Sequence, residues 1–330
     1  MLELTFKDVG QGDSIILEWT DNGINKIGII DCNLYNNQNP TLEYLRTKPE
    51  STLEFIILSH FHSDHFSGMA DIFQHCIDNK IKVYRFYHTI YPCVGEIYNR
   101  IFTSKKTEKD ADHFIEKLDE FLEYVDDSVP VTSHLAQFKL TDNLVLSFLA
   151  PTGKIYQKLA KQIARKVNRI VTTTADINKL STIVSIEHDG KSILLTSDAV
   201  RNSFKILKNR ITSELVLTQV PHHGSWASID ENFWTSIKQV GNCPSVFSVG
   251  DEPKDKLPNV ETVAFFAMNN FDVYSTNNVY GIAQHFKLKP NNQANQLKRK
   301  VLSSFSNLRK PILQTVPAGQ YNGEQRFKLF

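Results

Sequence analysis

One short polar stretch constrains the fold of this chain more than any other segment. It begins two residues after Phe55–Leu58, an apolar run typical of a buried strand. Within six positions it carries three histidines and one aspartate, which are His60, His62, Asp64 and His65. A solvated polar loop has no need of this spacing, whereas imidazole and carboxylate groups suit zinc, manganese or iron. Because so short a turn cannot wrap all four groups around one ion, it predicts two adjacent metal ions.

Four other motifs accompany this stretch in a fixed order. The stretch itself resembles the His-x-His-x-Asp-His signature of the metallo-β-lactamase superfamily. Within that superfamily, the whole set resembles the hydrolase domain of ComEC-type DNA-uptake (competence) proteins and their free-standing relatives. The other motifs are Asp8–Ser14, Ile30–Asp31, Leu195–Ala199 and Val220–Ser225. The resemblance covers about residues 1–285 and implies an α/β fold, an αββα sandwich of two mixed sheets flanked by helices.

The resemblance also implies two divalent transition-metal ions, zinc or manganese, and a set of ligands for them. One aspartate would bridge the ions and fix their separation at about 3.5–4 Å. The implied ligands are His60 and His62 for the first ion, Asp64, His65 and His222 for the second, and Asp198 for the bridge. Water held between the ions would have a pKa of about 7, which supplies a metal-bound hydroxide as the nucleophile.

Asp64 and His223 are the predicted catalytic residues. Asp64 would accept a proton or orient the nucleophile, and His223 would contact an oxygen of the substrate or protonate the leaving group. The sequence leaves open whether His222 or His223 is the ligand; because neighbours on a strand point in opposite directions, only one is expected to bind. The predicted supporting residues are Asp8, Gln11 and Asp13 at the rim, Asp31 as the orienting partner of a histidine, and Asn178 and Ser225.

The chain departs from the family pattern at the first ion. Superfamily members often supply another histidine between the polar stretch and the bridging aspartate. This chain has Asn178–Ser181 there, which matches the Asn-x-x-Ser segment of the competence branch. Water, Asp176 or His88 would complete the first ion. With few protein ligands for that ion, we expect one tightly held and one readily lost metal.

Composition limits the class of protein. The 330 residues are 41% hydrophobic with a net charge of +1, so the chain can bury a large core and has no general attraction to nucleic acid or membranes. Its four cysteines include no Cys-x-x-Cys pair, which is typical of reduced thiols in a cytoplasm. The sequence opens without a leader and has no apolar run long enough for a membrane span. We therefore expect a cytoplasmic protein without membrane segments.

Positive charge is concentrated locally. The helical segment Lys158–Arg169 has five basic and no acidic residues, so it is either a solvated face or a surface for a polyanion. Its predicted nucleic-acid contacts are Lys161, Arg165 and Lys166. A domain of residues 1–285, with a helical insertion near 95–127 and a helix over about Asp110–Tyr124, precedes a basic extension, 286–330. That extension would dock a protein partner or nucleic acid, or simply be solvated.

These features lead to one expected activity and two alternatives. The resemblance and the two basic stretches favour a metal-dependent hydrolase of phosphodiester bonds, and we expect it to be a nuclease that acts on DNA. The first alternative is a phosphodiesterase for a small ligand, such as a cyclic nucleotide or choline phosphate. The second is a metal-bound, non-catalytic subunit whose basic extension binds a protein partner.

Overall fold

Two seven-stranded sheets contain all the strands in the part of the chain that the structure describes. The structure is a computed structural model, and it describes residues 2–90, 105–165, 177–207, 210–250, 257–277 and 324–330. The strands are β1 (Leu2–Phe6), β2 (Ile15–Asp21), β3 (Ile24–Ile30), β4 (Thr52–Leu58), β5 (Val83–His88), β6 (Val125–Pro130), β7 (Phe138–Lys139), β8 (Val145–Ala150), β9 (Ile183–His188), β10 (Lys191–Leu195), β11 (Glu214–Gln219), β12 (Cys243–Phe247), β13 (Phe271–Ser275) and β14 (Gln325–Leu329).

Both sheets are mixed, and each has one antiparallel and one parallel half. The first sheet has the order β14-β1-β2-β3-β4-β5-β6; its strands from β14 to β3 are antiparallel neighbours, and those from β3 to β6 are parallel. The second sheet has the order β13-β12-β11-β10-β9-β8-β7, with the parallel half from β13 to β10. In each parallel half the carboxyl ends of the strands lie at one edge of the sheet.

Helices cover the outer face of each sheet, so the chain has four layers. Ile57 of the first sheet and Ile193 of the second belong to one buried cluster between the sheets. Phe73 packs with the outer face of the first sheet, and Trp234 with that of the second. The helices are α1 (Pro40–Arg46), α2 (Ser63–Phe66), α3 (Met69–Asn79), α4 (Lys105–Phe121), α5 (Gly153–Arg165), α6 (Arg201–Leu207), α7 (Glu231–Ser236) and α8 (Val260–Met268). The predicted αββα sandwich of two mixed sheets is confirmed.

The apolar run before the polar stretch is the end of β4, and it is buried on both faces of the first sheet. Phe55 and Ile57 point into the core between the sheets, whereas Ile56 and Leu58 point toward the helices. A strand that is covered on both sides has no polar face, so its sequence is continuously apolar rather than alternating.

Two helices differ from their predicted limits. The helix expected over about Asp110–Tyr124 runs from Lys105 to Phe121 and ends in a 3-10 turn, Leu122–Tyr124. The basic helix begins at Gly153 instead of Lys158, because Thr152 Oγ1 accepts from the Ile155 N–H at 3.3 Å and caps it. Residues 91–104 and 166–176, which include parts of the predicted insertion and basic helix, lie outside the described residues.

The end of the predicted basic extension belongs to the first sheet. Strand β14 pairs with β1 along its whole length, from Leu2 opposite Leu329 to Phe6 opposite Gln325. Phe327 packs edge-on against Phe6, with 6.2 Å between the ring centroids. These last residues are therefore part of the sandwich and not of an appendage. Residues 278–323 are outside the described residues, so the domain boundary at 285 stays a prediction.

The described helices include no candidate for a membrane span. None of them combines the length and the apolar composition that crossing a bilayer requires.

Candidate metal centre

The motif residues converge at one edge of the sandwich, where parallel strands of both sheets end. Asp31 directly follows β3, and the stretch His60–His65 follows β4. Asp198 comes three residues after β10, while His222 and His223 come just after β11. Because β3 and β4 are parallel neighbours, as are β10 and β11, their ends bring together side chains that are distant in sequence.

Potential metal-ligating atoms of the described residues form three groups at this edge; two of them include Asp198, and the third is Asp13, Asp31 and His65. Of the two groups with Asp198, one is His60, His62 and Asp198; the other is Asp64, His65, Asp198 and His223. Within each group the ligand atoms lie within 4.8 Å of one another. In the first group His60 Nε2 and His62 Nδ1 are 3.0 Å apart, close to the separation of about 3.3 Å that two ligands of one tetrahedral zinc ion have.

The two carboxylate oxygens of Asp198 face different histidines. Oδ1 lies 3.5 Å from His65 Nε2 and 3.3 Å from His223 Nε2. Oδ2 lies 3.8 Å from His60 Nε2 and 3.5 Å from His222 Nε2. The side chain of Asp198 is only 3% exposed, so these imidazole rings, and not water, form its surroundings.

Several of these buried atoms have no hydrogen-bond partner among the described residues. They are His62 Nε2, His65 Nε2, His223 Nε2 and Asp198 Oδ1. A buried polar atom without a partner costs about 1–3 kcal/mol, and such atoms are rare in folded proteins. Three of them lie together, because His65 Nε2 and His223 Nε2 both face Asp198 Oδ1. They fit a divalent cation, since nitrogen lone pairs and a carboxylate oxygen are the donors that zinc and manganese accept.

The titration of His65 is governed by the surrounding carboxylates. Burial by itself lowers the pKa of this imidazole, but Asp198, Asp64 and Asp31 together raise it well above its usual value. The pKa of Asp198 moves the other way: burial raises it, and the neighbouring His223, His222 and His65 hold it well below the usual range. The site is thus built so that positive charge compensates buried carboxylates, a role that a metal ion takes over from protons when it binds.

His60 is held neutral. Burial lowers the pKa of His60 well below its usual value, and the nearby His65 and His62 lower it further. Its Nδ1 lies 3.1 Å from Ser59 Oγ. With Nδ1–H donated to that hydroxyl, Nε2 offers its lone pair toward Asp198.

His65 is oriented by the carboxylate that the sequence predicts for this role. Its Nδ1 donates to Asp31 Oδ2 at 2.7 Å. Asp31 also accepts from the Ser59 backbone N–H at 2.8 Å and from Ser59 Oγ at 2.6 Å. Asp31 has a left-handed φ of 58°, a turn that brings its side chain under β4. These contacts leave Nε2 of His65 as the nitrogen that faces Asp198 and Asp64.

Both neighbouring histidines after β11 face Asp198, and the expectation that only one of them binds a metal stays a prediction. The strand ends at Gln219, and His222 and His223 lie in a 3-10 turn with φ values of 50° and 51°. Neighbouring side chains point to opposite faces only within a β-strand, and both histidines lie in a turn after the strand has ended. His223 donates from Nδ1 to Ser248 O at 2.7 Å. Nε2 of His223 then lies in the buried ligand group of Asp64, His65 and Asp198, whereas Nε2 of His222 faces Asp198 Oδ2.

The rim residues of the first motif pack against the polar stretch. The backbone N–H of Asp13 donates to Asp64 O at 3.0 Å, and Asp13 Oδ2 lies 3.6 Å from His65 Nδ1. A Cβ at Gly12 would lie 2.4 Å from Asp64 O, so this approach requires glycine. Gln11 is buried beside this loop.

Three predicted supporting residues remain, which are Asp8, Asn178 and Ser225. Asp8 contacts Gly10 and Asn277, and burial raises its pKa to about 6. Asn178 Nδ2 is 3.4 Å from His222 Nε2. The backbone of Ser225 donates to His222 O at 2.8 Å.

His88 and Asp176 are the two further protein ligands that the sequence predicts for the first ion. His88 uses Nδ1 with Ile90 O at 3.1 Å and Nε2 with Ser128 Oγ at 3.2 Å, so both of its ring nitrogens are engaged away from the ligand groups. Asp176 lies outside the described residues.

Gln219 and Ser59 are site residues that sequence reasoning missed. Gln219 Nε2 donates to Asp13 Oδ2 at 2.8 Å, while Oε1 accepts from two backbone N–H groups in the turn before Asp198. Ser59 Oγ lies 2.7 Å from Ser197 Oγ and so connects the two sheets. The available signal was a polar residue at the end of each apolar strand, directly before a histidine motif.

Comparison with known proteins gives a family match for part of the chain. Residues 12–138 match the family described as the Metallo-beta-lactamase superfamily, whose members are generally hydrolases that bind divalent metals. Together with the two mixed sheets between helices, this match identifies the metallo-β-lactamase fold. No curated protein matches the chain. The narrower resemblance to ComEC-type proteins stays a prediction.

Solved structures with a similar fold share little sequence with this chain. The metallo-beta-lactamase fold protein YhfI from Bacillus subtilis is 9% identical, with 85% of this chain and 97% of that one covered and a TM-score of 0.42. A diphosphatase from the PhnP family is 11% identical, with 99% and 98% covered and a TM-score of 0.40. The long form of RNase Z from yeast is 12% identical, with 78% and 38% covered and a TM-score of 0.38. At these values the similarities carry no argument about activity.

Proposed function

We propose that this chain is a hydrolase that uses two divalent metal ions to cleave phosphodiester bonds, and that its substrate is DNA. One observation carries the metal-dependent part of the proposal. The buried carboxylate of Asp198 lies between two groups of imidazole nitrogens, and its Oδ1 and the two nitrogens facing it, His65 Nε2 and His223 Nε2, have no hydrogen-bond partner in the described residues. A shared carboxylate between two ligand groups is the arrangement that holds a pair of ions.

Each of the two ligand groups that include Asp198 would hold one metal ion. In this proposal His60, His62 and Asp198 hold the first ion, and Asp64, His65, Asp198 and His223 hold the second. Such ions, zinc or manganese, lower the pKa of water to about 7 and neutralise charge on a phosphoryl group. The chain contributes the fixed orientation of the ligands through Asp31, Ser248 and the other hydrogen-bond partners.

Asp64 is the residue we assign to proton transfer. Its side chain is 33% exposed, whereas that of Asp198 is 3% exposed, so Asp64 is the carboxylate of the pair that water reaches. His223 is less suited to protonating a leaving group, because Nδ1 is bonded to Ser248 O and Nε2 belongs to the second ligand group. We therefore propose a ligand role for His223 in place of the catalytic role predicted from sequence.

A basic helix beside the site supports nucleic acid as the substrate. Helix α5 begins after β8 and contacts the turn Asn178–Leu180, whose Asn178 is 3.4 Å from His222. Lys158 and Lys161 of this helix are exposed, and neither forms an ion pair with the described residues. Unpaired cations next to a phosphodiester-cleaving site favour a polyanion. The side chains of Arg165 and Lys166 are not described.

The proposal is tested by incubating the full chain with single-stranded DNA, double-stranded DNA, RNA and bis(p-nitrophenyl) phosphate. Each substrate is combined with zinc, manganese and magnesium in parallel. We expect DNA cleavage with zinc or manganese, and its loss in Asp198→Ala. A matched control is His75→Ala, because His75 lies on α3 and is hydrogen-bonded to Asn79, away from the ligand groups.

Two results contradict the proposal in different ways. Efficient hydrolysis of the small ester without cleavage of nucleic acid at low salt identifies a phosphodiesterase for a small ligand. Metal-loaded protein that hydrolyses none of these substrates favours the second alternative, a non-catalytic subunit. The same incubations determine whether zinc or manganese supports turnover.

A further inference from the structure

The carboxylate of Asp198 divides four histidines into two pairs, one facing each of its oxygens. His65 and His223 face Oδ1, at 3.5 and 3.3 Å. His60 and His222 face Oδ2, at 3.8 and 3.5 Å. We infer that His222 is the third imidazole ligand of the first metal ion, next to His60 and His62. This inference rests on the proposed two-metal function and specifies how its first ion is held.

The backbone directs the His222 ring into the site. His222 and His223 both have left-handed φ values, a conformation that is uncommon for residues other than glycine and requires support from the surrounding structure. That support includes the His222 N–H, which donates to Ser197 O at 2.9 Å. Since Ser197 directly precedes Asp198, this hydrogen bond ties the histidine turn to the loop that carries the bridging carboxylate.

The two ring nitrogens of His222 have distinct surroundings. Nδ1 lies 3.1 Å from Ser228 Oγ, so the ring can donate Nδ1–H to that hydroxyl. Nε2 faces Asp198 Oδ2 and lies 3.4 Å from the amide nitrogen of Asn178. With Nδ1–H donated to Ser228 Oγ, the lone pair of the ring is on Nε2, which is the form that binds a metal.

With His222 included, each ion has three protein groups besides its share of Asp198. By this inference the first has His60, His62 and His222; His222 lies outside the compact group of ligand atoms and approaches it through Asp198 Oδ2, 3.5 Å from its Nε2. The second has His65, His223 and the carboxylate of Asp64. The sequence-based expectation of one tight and one readily lost ion rested on a missing third ligand. His222 supplies that ligand from a turn after β11, so the two ions should bind with affinities within about tenfold of each other.

The inference is tested by titrating the metal-free full chain with cobalt(II), followed by calorimetry and by the visible absorbance of the bound ion. The wild type should bind two ions. His222→Ala should weaken one of them at least tenfold, and His62→Ala should remove the same absorbance signal, because both residues belong to the first ion. His223→Ala should remove the other signal. His222→Gln keeps a polar side chain of similar size and should still weaken the first ion.

A control variant and three contradicting results complete the test of His222 as a metal ligand. His75→Ala should leave both signals unchanged. If folded His222→Ala binds both ions as the wild type does, the inference is wrong. A wild type that binds neither cobalt nor zinc contradicts the proposed function itself. A wild type with one tight and one weak ion, unaltered by His222→Ala, contradicts only the role of His222.

Discussion

Gln219 Nε2 donates to Asp13 Oδ2 at 2.8 Å, and this hydrogen bond joins the two sheets beneath the candidate metal centre. Oε1 of the same side chain accepts from the backbone N–H groups of Thr196 and Ser197, each at 2.9 Å. Asp13 lies 3.6 Å from His65 Nδ1, and Ser197 precedes Asp198. One buried amide therefore holds in register the parts of the two sheets that carry the ligands.

Gln219→Ala should destabilise the protein and loosen the metal centre. The substitution leaves two backbone N–H groups and the carboxylate of Asp13 without their partner, which we expect to lower the free energy of unfolding by about 3 kcal/mol. Urea unfolding of the metal-free chain measures this. Gln74→Ala is the matched control, since Gln74 makes only a surface hydrogen bond to Asp78. Equal stability of the two variants would show that Gln219 has no such role.

Asp31→Asn should weaken metal binding without changing the ligands themselves. The negative charge of Asp31 faces His65 Nδ1 at 2.7 Å and makes Nε2 a stronger donor. Loss of such a partner typically costs 10- to 100-fold in metal affinity. Calorimetric titration with zinc should therefore show one ion weakened by at least about tenfold. Unchanged affinity for both ions would mean that Asp31 supports only the fold.

Sequence reasoning predicted the strand ends well because apolar runs and polar motifs alternate sharply there. Phe55–Leu58 and Val216–Val220 were recognisable as buried strands, and each is followed directly by histidines. Sequence reasoning missed β6, because this edge strand contains exposed residues such as Asp126 and Asp127 and no buried residue. It also missed β14, because five alternating residues inside a basic segment are too short a signal.

The details of the site depend on contacts that sequence does not reveal. The orientation of His222 and His223 is set by two consecutive left-handed residues, which no local rule predicts for histidine. The role of Gln219 requires Asp13, a residue 206 positions away. Pairings at that separation follow from how the two sheets pack, and not from local propensity.

Acid should destabilise the protein through His88. Burial lowers the pKa of His88 to about 4, below the value of about 6.5 for an unfolded histidine. Between these values the unfolded state binds the proton and the folded state does not, so the free energy of unfolding falls as pH falls through this window. From pH 7 to pH 5 this histidine should remove about 2 kcal/mol.

The measurement for His88 compares pH dependence, so other titrating groups cancel. Urea unfolding of the wild type and of His88→Gln is followed at pH 7 and at pH 5. The variant lacks the titrating ring, so its loss of stability between these pH values should be smaller by about 2 kcal/mol. The same loss in both proteins would mean that His88 is protonated in the folded state as readily as in the unfolded one.

DNA binding should depend steeply on salt and on Lys161. Each phosphate that a cation neutralises releases counterions, so the logarithm of the affinity falls with the logarithm of salt concentration by about 0.7 to 0.9 per contact. Lys161 is exposed on α5, the helix that contacts the turn Asn178–Leu180 beside His222. Lys161→Glu should therefore weaken DNA binding and reduce the salt slope by about one contact, while cobalt titration of the metal centre stays unchanged.

A lysine at the other end of the sheet gives the matched control for Lys161. Lys82 is 78% exposed, with a 3.9 Å contact to the exposed carboxylate of Asp126. It directly precedes β5, whereas the candidate metal centre lies at the carboxyl ends of the parallel strands. Fluorescence anisotropy with Asp198→Ala, which removes cleavage, measures binding alone over a series of salt concentrations. In that background Lys82→Glu should keep the salt slope and Lys161→Glu should lower it. If both charge reversals change affinity equally, attraction to DNA comes from overall charge, and α5 does not guide the substrate to the metals.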